Sequence, residues 1–298
     1  MRNFRVVVLG LMIASCATQS GGEKGKLALA SYREGESAIY TMLSDGTEIT
    51  RVTDNVERIS KPDWSADGAR LVVVLTDKDD RNLDIYAMNS DGSEQQRLTD
   101  SLWVDTDPAW GPDGKKIAFS TARDSFIDDL QVLINDYEIY VMNSDGSEKT
   151  NLTNTVGWDT APAWSPSGDR IVFQSERDGN LEIYVMDASG LNQVNLSQHP
   201  ANDAAPAWSP DGSQIAFQSD RGGTYDIYVM DAAGSVVTQL TDSPERDFSP
   251  DWSPDGKKIA FQTRRDGNFE VYVMNADGSN PVRVTVDGDF DGFPDWHP

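Results

Sequence analysis

Tryptophan recurs along this chain at Trp64, Trp110, Trp164, Trp208, Trp252 and Trp296, at intervals of 46, 54, 44, 44 and 44 residues. Two further landmarks keep the same step. Tyr-x-Met begins at Tyr40, Tyr86, Tyr140, Tyr184, Tyr228 and Tyr272. A Val or Leu followed by Thr or Ser ends at Thr53, Thr99, Thr153, Ser197, Thr241 and Thr285. A proline stands two residues before each repeat tryptophan, from Pro62 to Pro294. A period of this size marks supersecondary units that each bury a face against the next.

Each unit reads as four short strands. The clearest runs Pro250-Asp251-Trp252, Ser-Pro-Asp-Gly, Lys258–Gln262, a turn at Arg265–Asn268, Glu270–Met274, Asn-Ala-Asp-Gly and Val282–Thr285. The strands are rich in β-branched and aromatic residues. In Ser-Pro-Asp-Gly, proline presets the first central turn position and glycine takes the positive φ that ends it. No helical periodicity of useful length occurs. The fold class is therefore all-β, a six-bladed β-propeller of four-stranded blades. The chain enters at Leu27 with the second to fourth strands of one unit and ends with a lone first strand, Phe293–Trp296. The C-terminal strand is expected to join the N-terminal blade and close the ring, removing an open sheet edge.

Ahead of the repeats, Arg2 and Arg5 precede an apolar run, Val6–Ile13, too short to span a bilayer and suited to a secretory signal. It ends in Ile13-Ala14-Ser15-Cys16, which resembles a bacterial lipobox, with the chain's single cysteine as the lipidated residue. The expected organisation is a signal peptide over 1–15, a lipidated tether over 16–26 and the propeller over 27–298. Such a chain is extracytoplasmic and lipid-anchored to a bacterial membrane, with the outer membrane, on its periplasmic or surface side, as the expected one. A net charge of −24 argues against nucleic acid and anionic lipid headgroups as partners, and leaves cations and basic surfaces.

The copies "PAWSPDGSQIAFQSDRGGTYDIYVMDAAG" and "PDWSPDGKKIAFQTRRDGNFEVYVMNADG" resemble the TolB-type, WD-like propeller repeats of bacterial envelope proteins. The resemblance covers residues 27 to 298 and implies a propeller used as a binding platform. Residues 1–26 are too few for the α/β domain that TolB carries ahead of its propeller. The resemblance therefore points to a lipoprotein form without that domain.

Because strands alternate in direction, the blade-to-blade links and the turns between second and third strands share one face. Five residues before the tryptophan, on that face, stand Asp105, Asp159, Asp203, Asp247 and Asp291, with Ile59 in the remaining blade. Converging at a channel mouth, these carboxylates could hold a cation or a basic peptide terminus. Thirteen residues after the tryptophan stand Arg123, Arg177, Arg221 and Arg265, with Arg33 at the matching place of the shared blade. The blade with Ile59 has Asp77 there, so aspartate and arginine are missing together. This favours pairing within each blade over a metal, reversed as Arg58 with Asp77 in that one. The string Asp287-Gly288-Asp289-Phe290-Asp291-Gly292 resembles the start of a calcium loop without its closing glutamate, giving Asp287, Asp289 and Asp291 as candidate ligands. No cofactor is expected, with Ca²⁺ or another divalent cation left open.

Trp-to-Tyr spacing is 20 in three blades but 30 between Trp110 and Tyr140. The extra residues fall within 124–135 and project from the same face. Phe126, Ile127 and Leu130, with Trp103 and Trp158 in the links, are candidate contacts for a protein or peptide. Only two histidines, His199 and His297, are present, with no nucleophile elbow, metal motif or phosphate loop. The reading is a monomeric, non-enzymatic protein-binding platform. The alternative is a propeller enzyme, a glycan lyase or hydrolase using channel carboxylates.

Overall fold

The computed structural model describes residues 25–33, 35–54, 61–76, 82–123, 126–127, 132–133, 136–286 and 289–298. Six four-stranded antiparallel sheets form blades I to VI, and no helix occurs among the described residues. Blade V is typical, with strands Asp203–Trp208, Gln214–Ser219, Asp226–Asp231 and Val237–Gln239 hydrogen-bonded in that order. Its two middle strands are packed on both faces, which is why they carry apolar residues in succession rather than in alternation. Blades II, III, IV and VI contain Trp64, Trp110, Trp164 and Trp252.

Blade I is assembled from both ends of the chain. Strands Lys26–Arg33, Glu36–Leu43 and Thr50–Arg51 receive Phe290–Trp296 as the innermost strand. Leu27 pairs with Trp296, Ala30 with Gly292 and Ser31 with Asp291. The His297 amide then donates to the Lys26 carbonyl, and the His297 ring meets Trp64 of blade II edge-on at 4.7 Å. The closure expected from the sequence is the one found.

The core lies between blades. Trp252, Ile259, Phe261, Tyr272 and Met274 of blade VI pack on Ala207, Ala216, Ile227 and Val229 of blade V. Trp296 with Leu27, Leu29 and Met42 packs on Ala260, Val271, Val273 and Val284 in the same way. Burial of roughly 200 Å² makes each such tryptophan worth about 5 kcal/mol before entropy is counted. This explains why one tryptophan recurs per blade. The Asn-x-Asp-Gly turn closes the same interface from outside. At Gly92, with φ of 84°, an added Cβ would lie 1.9 Å from the Val52 carbonyl of the previous blade. Only glycine allows both the backbone conformation and the approach.

Candidate functional site

Strand direction sorts the connections onto two faces, called here the link face and the turn face. On the link face each of the five aspartates stands at the start of an innermost strand, as its first residue or, for Asp291, its second, and meets its arginine. Arg33, Arg123, Arg177, Arg221 and Arg265 approach Asp291, Asp105, Asp159, Asp203 and Asp247 at 2.9, 3.0, 2.7, 2.6 and 3.1 Å. One Nη reaches the carboxylate while Nε donates to a Ser or Thr two residues earlier, as Arg221 does to Ser219 at 3.0 Å. Four of the guanidiniums also lie over a Phe and a Tyr of the same blade, as Arg221 does over Phe217 and Tyr228. All five carboxylates are fully buried, whereas the arginines stay 14–24% exposed.

The expectation of an open acidic rim therefore needs correction. Each carboxylate is enclosed and paired with its arginine, though Oδ1 of Asp159 and of Asp203 has no hydrogen-bond partner, and what the rim offers outward is the edge of five guanidiniums. The calcium-loop expectation loses Asp291 to Arg33 in the same way. Asp289 is described and Asp287 is not, and no cluster of three His, Cys, Asp or Glu forms a metal site among the described residues. Cys16, Arg58, Ile59, Asp77 and Leu130 lie outside the described residues.

The link face exposes apolar side chains at two places: Val286 and Tyr32 at blade I, and a group of three at blade III. Leu102, in the link entering that blade, is 94% exposed; Val156 and Trp158, in the link leaving it, are 84% and 43% exposed. Trp158 meets Tyr137 edge-on at 5.8 Å, and Trp103 is half-buried. Between these links the inserted segment forms a two-stranded pair of its own, Phe126–Ile127 with Val132–Leu133.

The central channel carries a second constellation. In five blades the residue three before the tryptophan has positive φ: Asp107, Ala161, Ala205, Ser249 and Phe293, at 49° to 53°. There the innermost strand bulges. The amides of Ala205, Ser249 and Phe293 are tied to Gln174, Gln218 and Gln262 of the preceding blade at 2.8–2.9 Å. The five bulge residues, with Gln174, Gln218 and, from blade II, Lys61, line a cavity of about 200 Å³. The residues one before the tryptophan line a second cavity of about 410 Å³ that opens among the turn-face prolines. That ring divides in half. Asp251, Asp295 and Asp63 come from three successive blades, VI, I and II, and Ala109, Ala163 and Ala207 from the next three.

Lys61 lines both chambers. Each aspartate accepts a tryptophan amide from the next blade, Asp63 from Trp110 at 2.6 Å, Asp251 from Trp296 at 2.8 Å and Asp295 from Trp64 at 2.9 Å. Even so, burial pushes Asp63 up to about 7 and Asp251 up to about 6, against the pull of Lys61. Burial, then Asp63 and Asp251, raise Asp295 further. Asp107, in the ring of residues three before the tryptophan (the upper ring), is raised mainly by burial. Burial opposes the charge on Lys61, but Asp251, Asp295, Asp63 and Asp107 outweigh it and hold its pKa above the ordinary lysine value.

A family model described as the TolB beta propeller domain matches residues 19–126, 132–202 and 192–298. The chain belongs to the TolB β-propeller family. Among solved structures, TolB from Acinetobacter baumannii is similar with a TM-score of 0.80 and 22% identity over 92% of this chain and 67% of that one. A candidate TolB from Agrobacterium tumefaciens gives 0.72 and 24% over 91% of each. An oligogalacturonate lyase in complex with manganese gives 0.60 and 19% over 88% of this chain and 74% of that one. At these identities the likeness establishes the fold. No curated protein matches the sequence.

The channel groups of this TolB-type propeller are what sequence reasoning missed. The signal was present in the same alignment of repeats: columns one and three before the tryptophan, read across blades, give Asp-Ala-Ala-Ala-Asp-Asp and Lys-Asp-Ala-Ala-Ser-Phe.

Proposed function

We propose that the protein is a lipid-anchored, extracytoplasmic platform that binds a protein or peptide of the bacterial envelope through the link face at blade III. Membership of the TolB β-propeller family supports a binding role outside the cytoplasm. The observation that carries the docking face is the exposure of Leu102, Val156 and Trp158 on both sides of the one inserted segment. Singly exposed apolar residues are ordinary, but a group beside an insertion on a rigid scaffold marks an interaction surface. With 49 acidic against 25 basic residues, the protein favours a partner that brings basic groups to the edge of that contact.

The test is affinity capture from envelope extracts with the wild type, Leu102→Asp/Trp158→Asp, and Val237→Asp as a control on an outer blade edge. A partner retained by wild type and control but lost with the double variant supports the reading. Equal capture by all three, or none by any, sinks it.

A second reading, a carboxylate-based glycan lyase or hydrolase, draws on the raised pKa of Asp63 in the channel, suited to a general acid near neutral pH. Polysaccharide turnover by the purified protein that Asp63→Asn abolishes would favour it over the platform.

A further inference from the structure

We propose that the turn-face chamber binds an organic cation, a primary ammonium or guanidinium on a short aliphatic stem, brought as a free diamine or as a lysine or arginine side chain. This goes beyond the docking face at blade III, which lies on the opposite side of the ring and shares no residue with the chamber.

The chamber of about 410 Å³ has one acidic wall and one apolar wall. Asp251, Asp295 and Asp63 form the first, and Ala109, Ala163 and Ala207 the second. The six repeat tryptophans complete it. Their indole nitrogens are buried, so carbon is what the rings present to the space. Three of these rings already carry a cation from outside: Lys26 lies 5.4 Å from Trp64, Arg70 5.7 Å from Trp110 and Arg170 5.0 Å from Trp208. Apolar walls with charge concentrated at one end suit a cation on a carbon stem better than a hydrated metal ion. The aspartates also fail to converge as a metal site, since no three acidic side chains do so among the described residues.

A second observation points to the same chemistry. The chain places a primary ammonium of its own, Lys61, in the lining of the same chamber as the three carboxylates, and they act on it through space. One ammonium against Asp63, Asp251, Asp295 and the upper-ring Asp107 leaves the channel short of positive charge. Asp295 is 5% exposed and uses one oxygen on the Trp64 amide, so its second oxygen is uncommitted to the backbone. The raised pKa values of the aspartates agree with this deficit. A bound external cation would replace the protons they hold.

The experiment is titration calorimetry of the full-length protein at low salt with 1,5-diaminopentane, agmatine, acetyl-lysine methylamide and calcium chloride. The proposal expects saturable binding of at least one amine at pH 8, weakened about tenfold or more at pH 5, with proton release read from buffers of different ionisation heat. Asp251→Asn should weaken it about tenfold, Lys61→Met should strengthen it severalfold by removing the internal competitor, and Asp203→Asn should leave it unchanged. Tighter binding of acetyl-lysine methylamide than of the free diamines assigns the site to a side chain; the reverse assigns it to small polyamines. Ala207→Phe fills the apolar wall without touching a carboxylate and keeps the test open if Asp251→Asn misfolds. No amine binding at pH 8, calcium binding in place of amine, or amine binding indifferent to both Asp251→Asn and Ala207→Phe would each overturn the proposal.

Discussion

Replacing Asp203 by alanine separates a structural rim from a binding rim. Asp203 is fully buried, and its Oδ2 lies 2.6 Å from Arg221, a residue 14% exposed. Arg221 is fixed in turn by Ser219 and by the rings of Phe217 and Tyr228. Removing one partner of a buried pair costs about 3–5 kcal/mol, because the other charge is left without compensation. Arg221 retains some access to water, which lowers the expected loss to about 2–4 kcal/mol. For a cooperative unit of this length, about 2 °C of melting temperature corresponds to 1 kcal/mol, so Asp203→Ala should melt about 4–8 °C below wild type. Asp203→Asn keeps the volume and an acceptor, and should lose about half as much. Circular dichroism melts at low and high salt are the assay, and the decrement should survive 1 M salt because the pair is shielded from counterions. An Asp203→Ala melt within a degree of wild type would refute the structural reading. Unchanged melting with lost ligand or partner capture would return the rim to the binding site.

Deleting residues 290–298 removes the strand paired with Lys26–Arg33 and exposes the Trp296 interface, so the truncated chain should lose cooperative melting and become sensitive to limited proteolysis. Gly92→Ala should destabilise by about 2–4 kcal/mol through the clash with Val52, whereas Gly179→Ala, at φ of 99° with nothing within 4 Å, should lose only about 1–2 kcal/mol of backbone strain; paired urea melts compare them. The channel aspartates have folded pKa values above their unfolded ones, so the native state binds more protons than the unfolded state between about pH 4 and 7. Their contribution to stability is therefore present at low pH and declines as pH rises through the folded values. Asp251→Asn should raise the melting temperature at pH 8 and leave it nearly unchanged at pH 4.5, and Lys61→Met should lower it at pH 8.

The fold was legible because one tryptophan, one proline and one Tyr-x-Met per unit are fixed by contacts that every blade repeats. The Asp–Arg pairing was legible through the joint absence at Ile59 and Asp77. What the residue list could not give was depth. Asp203 and Asp251 are both aspartates of an innermost strand, yet one starts the strand under an arginine and the other ends it beside the channel. The bulge at positive φ decides this, since it sets the positions three and one before the tryptophan against the channel. Nothing in Ala205 or Ser249 announces that conformation, because the cross-blade glutamine bond that holds it joins residues 31 apart in sequence.

The two aspartate columns also differ in what folding requires of them. A rim carboxylate is enclosed and must be paired, so every described blade that has one supplies an arginine. The channel column tolerates alanine in three blades, so packing alone does not call for Asp63, Asp251 and Asp295. Each accepts a tryptophan amide, a bond of about 1–3 kcal/mol. Their pKa values are nevertheless raised with those bonds in place, which means that the enclosed, mutually repelling site still disfavours the charged form. Three adjacent blades thus accept an electrostatic cost that the other three avoid with a smaller side chain. Where a scaffold folds as well without a group as with it, the group's chemistry answers to something other than folding. In this channel the missing element is positive charge.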